Sequence, residues 1–278
     1  MSQYWSIHIA PNNHGFKISK LDKNEFKMLK QPKGAFWADP FLLAINNKDY
    51  LFFEEFDYKK NQGIIKVGEI NEQGFVNEPI TILEGPFHFS NPHVFIEEGT
   101  LYLLPEQADS GEIALYRCVN FPSKWEKVVT ILQGGYFFDP ILLKKENKWW
   151  LFFTEKMASQ GFSSIYGKLL FSDSLFGPWQ EHPMNPISTD CRYSRNGGAI
   201  FEQDNQTIRV VQDCSSEYGY KIHLLKITQL SEITYKEELI DSISPQHFDA
   251  DGIHSISFSK NLIAIDTRKK TSKRLIFE

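Results

Sequence analysis

One pattern occurs twice in this chain, a hundred residues apart, and it constrains the fold more than any other feature. Trp37-Ala38-Asp39-Pro40 opens an apolar run that reaches Phe53 and ends in Glu54-Glu55. Phe137-Phe138-Asp139-Pro140 opens a second run, through Trp149-Trp150-Leu151-Phe152-Phe153 to Thr154-Glu155. Asp39 to Glu55 and Asp139 to Glu155 both span sixteen positions. Each copy reads as a strand beginning at Asp-Pro, a short polar turn, and an aromatic strand ending in Glu.

Weaker copies fill the rest. Ser90-Asn91-Pro92-His93 leads to Pro105-Glu106, with fifteen positions between Asn91 and Glu106. Ser194-Arg195-Asn196-Gly197-Gly198 leads to Gln212, sixteen beyond Asn196. Asp251-Gly252-Ile253-His254 opens a last unit with strands at 255–258, 262–265 and 274–277. The starts at 39, 91, 139, 196 and 254 are spaced by 52, 48, 57 and 58 residues. Units of about 40–50 residues with four strands each are the mark of a β-propeller. The strands are rich in Phe, Tyr, Ile and Val, and turns such as Asn46-Asn47-Lys48 have matching chemistry. No segment carries a sustained helical period. The expectation is an all-β, five-bladed propeller with a central funnel, in one domain over residues 1–278. The last unit is short of an outer strand, and the N-terminal segment around Ser6–Ile9 is the candidate to complete it.

Composition excludes several classes. A net charge of −5 argues against a nucleic-acid surface. No apolar run approaches the about 20 residues of a membrane span. Met1–Trp5 lacks a basic segment followed by an apolar one, which points to a cytoplasmic protein if Met1 is the native start. Cys118, Cys191 and Cys214 have neither CxxC spacing nor an even count, so they read as buried free thiols.

In a propeller the innermost strands surround the channel. The five starts then converge, bringing together Asp39, Asn91, His93, Asp139, Arg195, Asn196 and His254. The ends of the neighbouring strands add Glu55, Glu106, Glu155, Gln212 and Asp266. Several carboxylates in one pit cannot all ionise cheaply, so at least one pKa rises. That is the condition for an acid beside a base, as glycosidic cleavage requires. Asp39, Asp139, Glu155, Glu106 and Glu55 are the catalytic candidates. Trp37, Asn91, His93, Arg195, Asn196, Gln212 and His254 are the substrate-binding candidates. Phe36, Trp37, Tyr136 and Phe137 are expected at the rim, for stacking on sugar rings. No metal centre or cofactor is expected, apart from an ion or water that His254 can face. Strand-end carboxylates can equally serve only to hold backbone donors or Arg195.

Ala38-Asp39-Pro40, Asn91-Pro92-His93, Asp139-Pro140 and Leu151-Phe152-Phe153-Thr154-Glu155 resemble the five-bladed glycosidases of the arabinanase, xylosidase and invertase type. The resemblance runs from about residue 37 to 278. It implies that Asp39 is base or nucleophile, that Asp139 tunes the acid and orients substrate, and that His254 holds an ion or water. It breaks at the fourth start, where the arabinanase type carries its acid Glu and this chain has Ser194-Arg195-Asn196-Gly197-Gly198. The Glu-Cys acid motif of the invertase type is also absent. The acid role then falls to Glu155, ahead of Glu106 and Glu55.

Trp37-Ala38-Asp39-Pro40-Phe41, Leu51-Phe52-Phe53-Glu54-Glu55 and Ser194-Arg195-Asn196-Gly197-Gly198 resemble more closely the N-terminal propeller-like domain of plant glucosamine inositolphosphorylceramide transferases. Bacterial relatives of that domain accompany polysaccharide-biosynthesis proteins. This implies a carbohydrate or sugar-nucleotide ligand and a glycan-biosynthesis enzyme as partner. The transferase part of the plant proteins is not in this sequence, so transferase activity is not carried over. Two functions follow as expectations: a glycosidase-like enzyme working in the funnel, or a non-catalytic sugar-binding module in surface-glycan or glycolipid assembly. A purely structural propeller ranks third.

Overall fold

The computed structural model describes residues 2–13, 15–156 and 165–271. Five antiparallel sheets form the blades of a propeller, with strands running outward from the centre in sequence order. The first blade comprises Ala35–Ile45, Lys48–Asp57 and Gln62–Asn71, with Gly74–Phe75 and Ile80–Leu83 outermost. The second comprises Ser90–Glu97, Thr100–Glu106, Glu112–Asn120 and Lys124–Gln133. The third comprises Tyr136–Lys145, Lys148–Lys156, Ile165–Ser172 and Gln180–Glu181. In the fourth, the inner position is shared by Arg195–Asn196 and Phe201–Gln203, followed by Gln206–Asp213, Lys221–Leu230 and Tyr235–Ile243.

The fifth blade closes the ring. Ile256–Phe258 and Leu262–Thr271 pair with the N-terminal strand Ser2–Pro11, which pairs in turn with Lys27–Met28. The N-terminal strand therefore takes the third position of this blade, and Lys27–Met28 is the outer strand. The strand expected over 274–277 lies outside the described residues.

Inner and second strands are joined by tight turns whose sequences fit their geometry. Asn46-Asn47, Glu146-Asn147 and Asp204-Asn205 all have positive φ at both central residues. That is the type I′ pair whose twist matches antiparallel strands, and Asn tolerates it best.

Each interface between blades holds one apolar cluster. Leu51 and Phe53 turn toward the fifth blade and pack with Ile7, Ile9 and Leu262. Phe52, between them in sequence, turns the other way and packs with Val94 and Leu103 of the second blade. Leu151 and Phe153 face the second blade, while Phe152 faces Ile227 and Tyr235 of the fourth. Ile208, Val210 and Ile222 meet Ile256, Ile263 and Ile265 to complete the circle. A strand buried on both faces reads as a continuous apolar run, which explains why the second strands are the most hydrophobic segments of the chain. Trp149 and Trp150 are part of this core.

The fourth blade approaches the fifth through glycine. A Cβ on Gly198, at φ +142, would lie 2.2 Å from the Ile256 carbonyl oxygen, and one on Gly197 would lie 2.5 Å from that of His254. The Ile256 N–H donates to the Gly197 carbonyl at 2.9 Å through this gap.

Candidate functional site

Three inner strands break their ladder at the same place. The register slips between Ala38 and Phe41, between Ser90 and His93, and between Phe138 and Ile141. Within each slip sits a residue in the left-handed region followed by proline: Asp39 at φ 52, Asn91 at φ 43 and Asp139 at φ 47. Asp and Asn are the non-glycine residues that enter this region at least cost, still about 1 kcal/mol each. Each bulge re-aims a polar side chain and its own N–H toward the axis. The strain is set against hydrogen bonds from neighbouring blades. Asp266 Oδ2 accepts the Asp39 N–H at 3.0 Å, Asp39 Oδ2 accepts the Asn91 N–H at 2.9 Å, and Glu106 Oε2 accepts the Asp139 N–H at 2.8 Å. The Asn91 amide donates to the Pro140 carbonyl, the Asn196 amide to those of Asp139 and Phe152, and the Gln212 amide to that of Asn196.

Two ion-paired centres result. In the first, His254 Nε2 lies 3.2 Å from Asp39 Oδ1, and its Nδ1 lies 2.8 Å from Asp266 Oδ2. Burial opposes the imidazolium, but Asp266 and Asp39 outweigh it and raise the His254 pKa well above its usual value. Burial likewise opposes ionisation of Asp39, yet His254, the Asn91 N–H and Arg195 hold its pKa below the ordinary carboxylate range. Trp5 packs on the His254 ring at 4.0 Å between centroids. Asp39, His254 and Asp266 have ligand atoms within 4.8 Å of one another, so they have the reach to hold a cation. With both imidazole nitrogens already on carboxylates, a cation there has to displace the imidazolium proton.

In the second centre, Arg195 grips Asp139 with Nε to Oδ2 at 2.6 Å and Nη2 to Oδ1 at 3.1 Å, and Nη2 reaches within 3.7 Å of Glu106 Oε2. The guanidinium lies between the rings of Phe138 and Tyr218, 5.1 and 4.9 Å from their centroids. Burial and the Asp139 charge push Glu106 up to about 8, with Arg195 pulling partly against them. A cavity of about 290 Å³ adjoins this centre, lined by Arg195, Phe138, Tyr218, Cys191, Cys214 and Ile165 among others. A larger groove of about 420 Å³ between Lys27–Lys30 and Gln73–Pro79 lies at the outer edge of the ring, away from the carboxylate cluster.

A fifth carboxyl, beside those of Asp39, Asp266, Asp139 and Glu106, belongs to the pit and was not among the sequence candidates. Glu54 pairs with Ala38 in the ladder and is buried. Burial, then the charge of Asp39, raise its pKa well above the usual value. Its Oε1 lies 3.4 Å from His88 Nε2, and His88 is itself kept neutral by burial.

Register explains the miss. Ala38 faces Glu54, Ser90 faces Glu106 and Phe138 faces Thr154. The buried position is therefore fifteen residues beyond the bulge, whereas the matched Asp-to-Glu offsets were sixteen. One residue along a strand changes its face. Glu55 and Glu155 consequently leave the cluster: Glu55 accepts from Trp37 Nε1 at 2.8 Å and pairs with Lys66, and Glu155 pairs with Lys168 at 3.5 Å. Thr154 takes the buried place in the third blade and donates to the Ser194 carbonyl. The fifteen-residue Asn91-to-Glu106 interval was the signal that could have identified Glu54.

Other expectations also shift. Trp37 and Phe137 are core residues against Phe53 and Phe153, leaving Phe36 half-buried and Tyr136 exposed. His93 packs between Phe41 and Phe95, where burial lowers its pKa to about 4. None of the cysteines is fully buried: Cys191 is exposed, and Cys118 and Cys214 are half-buried.

The family described as glucosamine inositolphosphorylceramide transferase 1, N-terminal, matches residues 16–250. This chain belongs to that family. Its curated relatives include glucosamine inositolphosphorylceramide transferase 1 of rice (Oryza sativa subsp. indica) and of Arabidopsis thaliana. They are 36% and 35% identical over 205 residues, covering 73% of this chain and 27% of each relative. The chain thus corresponds to about a quarter of the length of these plant proteins, and these relatives give no support to the bacterial expectation. Among solved structures, Zg3597, a family 117 glycoside hydrolase from the marine bacterium Zobellia galactanivorans, superimposes with a TM-score of 0.58 at 13% identity, over 96% of this chain and 91% of that one. The Cellvibrio cellulosa alpha-L-arabinanase gives 0.53 at 15% identity, over 73% and 77%. The transferase-family propeller therefore shares its fold with glycoside hydrolases.

Proposed function

We propose that the central pit of this transferase-family propeller binds a sugar or sugar conjugate and acts on its glycosidic bond by acid–base chemistry. The observation that carries the reading is the division of protonation within one buried cluster. Asp39 is held ionised, while Glu106 and Glu54 are held toward the protonated form. Environments that push carboxyl pKa values apart are how one site runs acid and base at the same pH. Asp39 is the base or nucleophile and Glu54 the leading acid, with Glu106 second. Asp139 and Arg195 together orient the substrate, and Phe138 and Tyr218 offer aromatic faces to a sugar ring. We further propose that the chain works beside a glycan-assembling enzyme, in keeping with the names of its longer relatives.

One observation favours a binding-only module. Asp139 and Asp39 each spend their oxygens on protein partners, and Arg195 stands where the resembling hydrolases carry an acid. A panel of glycosides and sugar nucleotides, followed for turnover and by calorimetry, separates the two. For the enzyme, Asp39→Asn and Glu54→Gln abolish turnover and preserve binding within a few fold. Binding without turnover in the parent chain establishes the module instead, and absence of both removes the pit as a carbohydrate site.

A further inference from the structure

We propose that Cys191 and Cys214 are a thiol pair that closes to a disulfide across one wall of the cavity beside Arg195. The Cys214 N–H donates to the Cys191 carbonyl at 3.0 Å. A backbone contact of this length brings the two chains about as close as paired strands, whose facing Cα atoms lie about 4.5–5.5 Å apart, and disulfides bridge about 4.4–6.8 Å. Both residues line the same cavity. Cys191 is exposed, open to an oxidant, and Cys214 is half-buried. Cys118 belongs to the third strand of the second blade and is absent from the lining of this cavity.

The pair joins two segments that place site residues. Cys191 sits in the turn closed by the Tyr193 N–H on the Asp190 carbonyl, just before Ser194 and Arg195. Cys214 follows the strand Gln206–Asp213 and precedes Tyr218, whose carbonyl is held by buried Arg268 Nη1 at 2.8 Å. A bond between the two sulfurs ties the Arg195 approach to the Tyr218 loop, so the wall of the cavity stiffens when it forms.

The chemistry is thiol–disulfide exchange with a low-molecular-weight disulfide. The Cys191 thiolate attacks one sulfur of that disulfide, forming a mixed disulfide and expelling one thiolate. Cys214, after losing its proton to solvent, attacks the Cys191 sulfur and expels the second. Two protein thiols are oxidised, and one small disulfide is reduced to two thiols.

The test equilibrates the protein in reduced and oxidised glutathione, alkylates the remaining thiols and maps the peptides by mass spectrometry. The expected result is a linked 191–214 peptide that disappears on reduction, with Cys118 alkylated throughout. Cys118→Ser retains the link, and Cys214→Ser traps a glutathione adduct on Cys191. Full alkylation of Cys191 and Cys214 in oxidised glutathione overturns the proposal. So does a link that runs to Cys118 or to a second molecule.

Discussion

Asp266 Oδ2 accepts the backbone N–H of Asp39 at 3.0 Å, across the junction where the fifth blade meets the first. Asp39 Oδ2 repeats the contact on Asn91, and Glu106 repeats it on Asp139. The same carboxylates therefore hold bulged backbone in place and make up the charge of the pit. Substitutions that keep an acceptor oxygen, such as Asp to Asn, are consequently the ones able to separate chemistry from folding.

Arg195 neutralises Asp139 and lies beside Glu106. Arg195→Ala leaves a buried carboxylate without its partner, a change that typically costs about 3–5 kcal/mol. Arg195→Lys keeps the charge but loses the two-pronged grip, and should recover part of that loss. Urea unfolding measures both, and a loss below about 1 kcal/mol for the alanine variant would show that Asp139 finds another donor.

Glu106 should make stability fall with rising pH. Its folded pKa of about 8 lies above the ordinary value of 4.5. The favourable contribution is complete below the ordinary value and is lost as pH rises through about 8, because the unfolded chain ionises freely while the folded one resists. Glu106→Gln removes this slope. Unfolding midpoints at pH 5 and pH 8 should show the variant gaining on its parent at the higher pH; an equal difference at both would contradict the shift.

His93 sets the opposite slope. Burial lowers its pKa from 6.5 to about 4, so its contribution is present above 6.5 and is lost as pH falls through 4. His93→Leu, of similar size and set between Phe41 and Phe95, should flatten the acid limb. Melting temperatures at pH 4.5 and pH 7 are the check, and unchanged acid sensitivity would count against it.

Gly63 leaves room for the Glu54–His88 contact. A Cβ there would lie 2.5 Å from Glu54 Oε1, 2.6 Å from the Phe89 carbonyl oxygen and 2.7 Å from His88 Cε1. Gly63→Ala should cost about 1–3 kcal/mol by overpacking. If Glu54 is the acid, turnover should fall further than stability alone explains, measured well below the unfolding midpoint.

Gly198 lets the fourth and fifth blades touch. Alanine there meets the Ile256 carbonyl at 2.2 Å and must also hold φ near +142. Gly198→Ala should lower the melting temperature by more than any of the substitutions above, since backbone cannot yield as a side chain can. Full retention of stability would mean that the blades separate at little cost.

The repeat was legible because it is local. An Asp-Pro or Asn-Pro start, a polar turn and an apolar strand are read from neighbouring residues; the full start recurs at 39, 91 and 139, and weaker copies at 196 and 254 completed five blades and a shared axis. Asp39, Asn91, Asp139, Arg195, Asn196, Gln212 and His254 were placed near that axis by the same logic. The face of each strand-end carboxyl was not legible. It depends on the bulge at Asp39 and Asp139, a one-residue slip visible only in the ladder, and this slip puts Glu54 and Thr154 inside and sends Glu55 and Glu155 to lysines. The partners of the pit residues were likewise decided by ring closure, which sets Asp266 against Asp39, 227 positions away, and Arg195 against Asp139, 56 positions away. Periodicity specifies which residues a blade repeats; charge pairing and protonation depend on distances between blades, which exist only once the ring has formed.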